Sequence, residues 1–250
     1  MSAPYRIITI PPSHYCEKAR WALEHAGIAY REEGHPPLLH RWATRIAKGS
    51  SSTPILIAGD RVLADSTDIL QYIDVEHAEG WRPYPTDSQL RVEAEELEEV
   101  FDTRLGPHTR SIAYYHLLKH NKLFFESVLA GVGGFERTLF RVLSPAVKKL
   151  MRVGMRIEDE GAERSLDYVR GVFQTVKELL ADGRSFLVGK NFGAADLTFA
   201  ALAAPVILPR KYGSPLPSLD EVPTDLLAQI EGFRSSPAGE FALRIYRDYR

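Results

Sequence analysis

Residues 5–23 most constrain how this chain can fold, because they join an apolar strand to a helix through one short turn. Residues 5–10 are rich in β-branched side chains, which favour a buried strand, and two consecutive prolines end it. Ser13 is a good helix N-cap, and Gly27 supplies a stop for the helix that follows. A strand that leads into a helix N-terminus creates a small site for an anion or a thiolate. We therefore expect the chemistry of the chain to start at this turn, which carries Ser13 and the single cysteine, Cys16.

The alternation of strands and helices continues beyond this turn. The sequence predicts a strand at residues 29–33, a helix at 38–48 and a hairpin of strands at 55–57 and 62–64. Asp65 and Ser66 begin a third helix. The sequence thus predicts an α/β domain at residues 1–79, with the order βαβα-ββα. A linker rich in proline and glycine at residues 80–86 follows it.

After the linker the sequence shows only helical patterns, so residues 87–250 are predicted to form an all-α domain. Its first helix is expected to be interrupted at Gly106-Pro107 and to resume at His108. Residues 194–204 are unusually apolar, which indicates a buried central helix ended by Pro205.

Charge and cysteine content exclude several classes of protein. The net charge of −2 argues against nucleic-acid binding, which normally needs a basic excess. The uncharged stretches are shorter than the roughly 20 residues of a membrane-spanning helix, and the chain starts without the pattern of a signal peptide. One cysteine allows no internal disulfide and fits a reducing compartment, so we expect a cytoplasmic protein. No cluster has metal-ligand spacing, and no metal is expected.

Five short motifs follow one another in a fixed order along the chain. They are Ser13-His14-Tyr15-Cys16, Thr53-Pro54, Asp65-Ser66, Tyr84-Pro85-Thr86-Asp87 and Phe192-Gly193-Ala194-Ala195-Asp196. By these motifs the chain resembles the soluble, cytosolic glutathione transferases, in the form of a bacterial-type member with serine at the active-site turn. The resemblance implies a thioredoxin-like N-terminal domain followed by an all-α C-terminal domain. It also implies a homodimeric detoxification enzyme.

The resemblance further implies that glutathione is the co-substrate, and it gives each motif a role. The backbone of Thr53, before a cis Pro54, would pair with the cysteinyl unit, and Asp65 and Ser66 would hold the γ-glutamyl end. Ser13 would stabilise the glutathione thiolate, which would attack a small apolar electrophile. The pocket for that electrophile would be lined by His14, Tyr15, His108, Tyr114 and Tyr115.

Two alternatives stay open from the residues alone. In one, Cys16 is the reactive thiol and forms a mixed disulfide with glutathione, so the protein is a thiol-disulfide oxidoreductase. In the other, the fold is kept without catalysis, and the protein is a binding or scaffold protein. The second alternative is supported by Ser51-Ser52. These residues occupy the positions before the cis proline at which the superfamily often has Gly-Lys.

Overall fold

The computed structural model describes residues 5–77 and 79–250. Its N-terminal part is a four-stranded mixed sheet with three helices, as predicted. The elements are β1 (Tyr5–Thr9), α1 (His14–His25), β2 (Tyr30–Gly34), α2 (His40–Ile46), β3 (Ile55–Ala58), β4 (Arg61–Leu63) and α3 (Ser66–Glu76). The strand order is β2-β1-β3-β4, with β1 parallel to β2 and the other two pairs antiparallel. The expected thioredoxin-like fold is confirmed for this part of the chain. Residues 1–4 and 78 of the predicted first domain lie outside the described residues.

The turn between β1 and α1 has the local structure that its sequence predicts. Ile7 and Ile8 of β1 are buried, and the strand ends before the two prolines. Ser13 has an extended backbone, and its hydroxyl accepts a hydrogen bond from the backbone N–H of Cys16 at 3.4 Å. Beyond the other end of α1, Gly27 has a φ of +69°, which is favourable only for a residue without a Cβ.

The second part of the molecule is helical, and the described residues beyond β4 contain no further strand. It begins with α4 (Ser88–Val100), a π-helical turn (Phe101–Leu105) and α5 (Gly106–Leu117). The remaining helices are α6 (Asn121–Val128), α7 (Gly134–Gly154), α8 (Asp159–Leu179), α9 (Ala194–Ile207), α10 (Thr224–Arg234) and α11 (Pro237–Tyr249). No described helix is long and apolar enough to cross a membrane.

Two predicted helix interruptions are wrong. The chain does not break at Gly106-Pro107, because Pro107 lies in the first turn of α5, where an N–H is not needed. The irregularity comes earlier, as the π-helical turn. Likewise α9 continues past Pro205 to Ile207, since a proline removes only one donor of the helix. The helix ends at Leu208, whose φ is +41°.

Helix α9 is the centre of the main core, as its apolar sequence predicts. All its residues except Pro205 are buried, and it packs against α1, α4, α5, α10 and α11. Asp196 fixes its start, because its carboxylate accepts hydrogen bonds from the backbone N–H groups of Leu187 (2.7 Å) and Gly193 (3.0 Å). Asp196 therefore caps α9.

Trp21 joins the two parts of the molecule. It is fully buried on α1, and its ring centroid lies 4.5 Å from that of Tyr246 on α11. Its indole N–H also donates to the carbonyl of Tyr249 at 2.9 Å. The sheet domain and the helical part therefore share one hydrophobic core.

A second, smaller core lies between α6 and α7. It contains Phe124, Val128, Phe140, Val147 and Met151, and it includes no residue of α9. The end of α7 reaches the mouth of the cavity described next.

Candidate active site

A cavity of about 530 Å³ opens beside the turn between β1 and α1. Its walls come from that turn, α2, the segment before β3, α5, α6, the end of α7, the loop that follows α9, and α10. Among the residues predicted from the sequence, it is lined by Ser13, His14, Tyr15, Thr53 and Tyr114. Most of the lining side chains are apolar, and no described aspartate or glutamate lines the cavity. An apolar cavity with a few converging polar groups is typical of a small-molecule site.

Ser13 and Thr53 both line this cavity, and the side chain of each hydrogen-bonds to Cys16. Ser13 is half-buried, and the Thr53-Pro54 peptide bond is cis, as expected. Neither the N–H nor the C=O of Thr53 has a backbone partner within residues 5–77 and 79–250. The Thr53 backbone can therefore pair with a ligand that lies along the wall.

Cys16 lies behind these two residues and away from the cavity. Its side chain is fully buried, and it is a free thiol. Burial raises the pKa of the Cys16 thiol, although Arg20 and hydrogen bonds from Ser13 and Thr53 act in the opposite direction. A buried thiol with a raised pKa is a poor nucleophile.

His14 and Tyr15 connect the turn to the start of α5. His14 Nε2 donates to the carbonyl of Gly106 at 2.8 Å, and the Tyr15 hydroxyl donates to the carbonyl of Asp102 at 2.7 Å. Burial, and then the charge of Arg110, lower the pKa of His14 to about 3, so its imidazole is neutral at pH 7. Gly106 is essential to this contact, because a Cβ there would lie 2.1 Å from the Tyr15 hydroxyl oxygen.

Asp65 and Ser66 form the N-terminus of α3 and lie outside the cavity lining. The exposed Asp65 accepts a hydrogen bond from the Thr67 N–H at 2.8 Å through one carboxylate oxygen. Ser66 is buried in the first turn of the helix, where free N–H groups favour an anion. Burial, followed by the charge of Asp102, raises the pKa of Tyr15, and the charge of Asp65 acts in the same direction.

The structure does not bring His108 and Tyr115 to the cavity. The ring of His108 stacks on that of Tyr168 in α8, with centroids 4.2 Å apart, and its Nδ1 is 3.2 Å from the Ser165 hydroxyl. The Tyr115 hydroxyl donates to Asp159 at 2.7 Å. Both side chains contact α8 and its start instead of the cavity.

Sequence reasoning missed several cavity residues. Arg110 lies four residues before Tyr114, on the same face of α5, and this helical spacing was the signal that could have identified it. Tyr212 comes from the irregular loop after α9, and its hydroxyl donates to the carbonyl of Pro12 at 3.1 Å. The described residues contain no group of three or more potential metal ligands.

Comparison with known proteins gives this geometry a context. Residues 7–81 match the family model described as "Glutathione S-transferase, N-terminal domain". A comparison with curated protein sequences finds no match.

Several solved structures share the fold of the whole chain. A glutathione S-transferase of Ceriporiopsis subvermispora, in complex with glutathione, is 15% identical, with a TM-score of 0.66 over 99% of this chain and 98% of that one. The beta-etherase LigF of Sphingobium sp. strain SYK-6 is 17% identical, with a TM-score of 0.63 over 97% and 99%. A glutathione S-transferase of Methylobacterium radiotolerans, in complex with glutathione sulfonate, is 16% identical, with a TM-score of 0.56 over 96% and 95%. The chain therefore has the fold of the glutathione S-transferases.

Proposed function

We propose that this protein is a glutathione transferase that conjugates the glutathione thiolate to a small apolar electrophile. The observation that carries the proposal is that Ser13 and the unpaired Thr53 backbone line the same apolar cavity. The matched N-terminal family model and the two similar structures in complex with glutathione or its sulfonate support the choice of thiol.

In this proposal glutathione lies along the wall between the turn and α3. Thr53 exchanges backbone hydrogen bonds with its cysteinyl unit beside the cis Pro54. Asp65 pairs with the γ-glutamyl ammonium, and the α3 N-terminus at Ser66 receives the γ-glutamyl carboxylate. These contacts place the thiol at Ser13. The cavity side of α2 contributes His40 and Arg41 on the same wall.

Ser13 then stabilises the thiolate. Its hydroxyl donates a hydrogen bond to the sulfur, and the N-terminus of α1 adds a favourable dipole. The sulfur attacks the electrophilic carbon, so that an S–C bond forms and the leaving group departs with the electron pair of its own bond. His14, Tyr15 and Tyr114 line the space for the electrophile. Burial raises the pKa of Tyr114 to about 12, so it remains a neutral hydrogen-bond donor there.

Ser13→Ala tests the catalytic role. We expect kcat to fall by about tenfold to a hundredfold, because a hydrogen bond to a charged sulfur is lost, and we expect the pH profile of kcat to move to higher pH. The same change removes a helix cap. Ser236→Ala is the matched control, because Ser236 caps α11 in the same way and lies outside the cavity. Equal rates for Ser13→Ala and Ser236→Ala would contradict the role of Ser13.

Thermal unfolding with glutathione separates the transferase from a scaffold protein. Glutathione at about a hundred times its Kd should stabilise the folded protein by about 2.7 kcal/mol. A melting temperature that does not change at millimolar glutathione would contradict the proposal.

The proposal includes the organisation of the protein. Residues 1–79 form the glutathione-binding domain, 80–86 the linker and 87–250 the domain that holds the electrophile. We also propose a cytoplasmic homodimer with a role in detoxification. Light scattering at micromolar concentration tests the dimer, and a monomeric mass would contradict it.

A further inference from the structure

Arg110 lies on the face of α5 that lines the cavity. That face also carries Gly106, Ala113, Tyr114 and Leu117, with the spacing of one side of a helix. The start of the same face is fixed to the active-site turn by the bond from His14 Nε2 to the Gly106 carbonyl, at 2.8 Å. Arg110 therefore lies one helical turn beyond the contact between α5 and the residue that follows Ser13.

The guanidinium of Arg110 has no counter-ion among residues 5–77 and 79–250. Arg20, Arg91 and Arg184 each have a carboxylate oxygen within 3.1 Å. By contrast, no described acidic group lies within 4.0 Å of Arg110, and it makes no hydrogen bond to the described residues. An unpaired guanidinium has its donors available for an anion, and its planar fork matches a carboxylate.

The rest of the cavity favours such an anion. It has an apolar lining, two arginines and several histidines, and no aspartate or glutamate of the described chain lines it. Burial lowers the pKa of His14 most, and the positive charge of Arg110 lowers it further. The charge of Arg110 therefore acts on the active-site turn. Arg110 itself is exposed, so its guanidinium is accessible to a ligand that enters the cavity.

We propose that Arg110 binds a carboxylate on the electrophile, so the substrates include apolar electrophiles that carry one carboxylate. This inference rests on the proposed transferase function and names its substrate class. Arg110 lies on α5, whereas the proposed site of the γ-glutamyl carboxylate of glutathione is the N-terminus of α3. We assign Arg110 to the electrophile because it shares the cavity-lining face of α5 with Tyr114.

A matched pair of electrophiles tests the proposal. We choose 4-chloro-3,5-dinitrobenzoate and its methyl ester, which differ only in the charge of one group. In both, the thiolate forms an S–C bond at the chlorine-bearing carbon, and chloride leaves with the C–Cl electron pair. The measured quantity is kcat/KM for the acid relative to the ester, each divided by its uncatalysed rate constant.

Arg110→Gln should lower this acid-to-ester ratio by at least about tenfold, because a charge-assisted contact is lost only with the acid. Arg110→Lys should give an intermediate ratio, since a lysine binds carboxylate without the fork. Arg104→Gln is the matched control, because Arg104 is exposed like Arg110 and carries the same charge, but it lies on the preceding turn, outside the cavity. It should leave the ratio unchanged.

Two results would overturn the proposal. An unchanged ratio in Arg110→Gln would show that the guanidinium does not contact the carboxylate. Equal losses for acid and ester, with a shift of the pH profile, would show instead that Arg110 acts on the glutathione thiolate.

A binding measurement separates this inference from the proposed function. Unreactive 3,5-dinitrobenzoate and its methyl ester are titrated by calorimetry into the wild-type protein, Arg110→Gln and Arg104→Gln. We expect only Arg110→Gln to lose the preference for the acid, and that loss to diminish at high salt. If neither electrophile is turned over but Arg110 still gives a binding preference for the acid, the anion site is supported and the transferase proposal is contradicted. Turnover with no Arg110-dependent preference in binding or in rate would overturn the anion site alone.

Discussion

At the scale of single residues, burial separates two side chains that are only three positions apart. Ser13 is half-buried and lines the cavity, whereas Cys16 is fully buried behind it. Both could have served thiol chemistry by residue type, because both lie at the N-terminus of α1. The accessible side chain is the hydroxyl of Ser13, so in the proposed reaction the thiol comes from the ligand.

The burial of Cys16 predicts that the native protein does not form a mixed disulfide with oxidised glutathione. A thiol with a raised pKa and no access to the cavity reacts slowly with a disulfide. Mass spectrometry after incubation measures the adduct. The same protein unfolded in urea at pH 8 is the control, and it should be modified fully. A comparable adduct on the native protein would contradict this prediction and favour an oxidoreductase.

His14 predicts a pH dependence of stability. Its pKa is lowered from 6.5 to about 3, so between these pH values the unfolded state binds a proton that the folded state does not. The contribution of His14 is therefore fully present above about pH 6.5 and is lost as pH falls, by about 1.4 kcal/mol for each pH unit. Urea unfolding of the wild-type protein and His14→Gln should show this difference in slope between pH 6 and 4.5. Parallel curves would contradict the neutral, buried state of His14.

At the scale of the elements, helix α5 shows what the sequence predicts and what it does not. Its aromatic residues were expected to line the pocket as a group, but a helix separates neighbours by about 100°. Tyr114 therefore lines the cavity, while His108 and Tyr115 contact α8 and its start. The sequence predicted a break at Gly106-Pro107, whereas Pro107 lies in the first turn of α5. A proline in the first turn of a helix and a proline at a helix break cannot be told apart from the sequence alone.

Other elements were predictable because their signals are local. The cap at Ser13, the hairpin after Pro54 and the start of α9 at Asp196 each depend on residues within a few positions. The loop after α9 was not predictable. It has no periodicity, and its place over the cavity depends on a long-range bond from Tyr212 to Pro12.

Gly106→Ala tests the contact between α1 and α5. The added Cβ would meet the Tyr15 ring, so that the bond from Tyr15 to the Asp102 carbonyl has to shift. We expect a loss of about 1–3 kcal/mol in the free energy of unfolding, measured with urea. Gly171→Ala is the control within helix α8. Open space surrounds its Cβ position, and we expect it to stabilise the protein by about 0.5–1 kcal/mol. If both variants were stabilised, the close approach of Tyr15 to Gly106 would be contradicted.

At the scale of the whole molecule, the described residues form two hydrophobic clusters of unequal size, and we expect the smaller one to be the less stable. The main cluster joins the sheet domain to the helices through Trp21 and surrounds α9, so these parts should unfold together. The smaller cluster between α6 and α7 is separate from it. Because the end of α7 lines the cavity through Leu150 and Met151, the less stable unit borders the proposed electrophile site.

This division predicts that α6 and α7 open without the rest of the protein. Phe140 and Phe199 are both fully buried, one in each cluster, and they form a matched pair of variants. Phe140→Ala should raise amide hydrogen exchange in α6 and α7 and leave the slow exchange of α9 unchanged, because the small cluster loses its packing alone. Phe199→Ala should lower the global free energy of unfolding by about 3–5 kcal/mol and raise exchange throughout the chain. Hydrogen exchange followed by mass spectrometry of peptides resolves the two patterns. If Phe140→Ala raised the exchange of α9 as much as that of α7, the two clusters would form one cooperative unit. The electrophile site would then have no independently mobile wall.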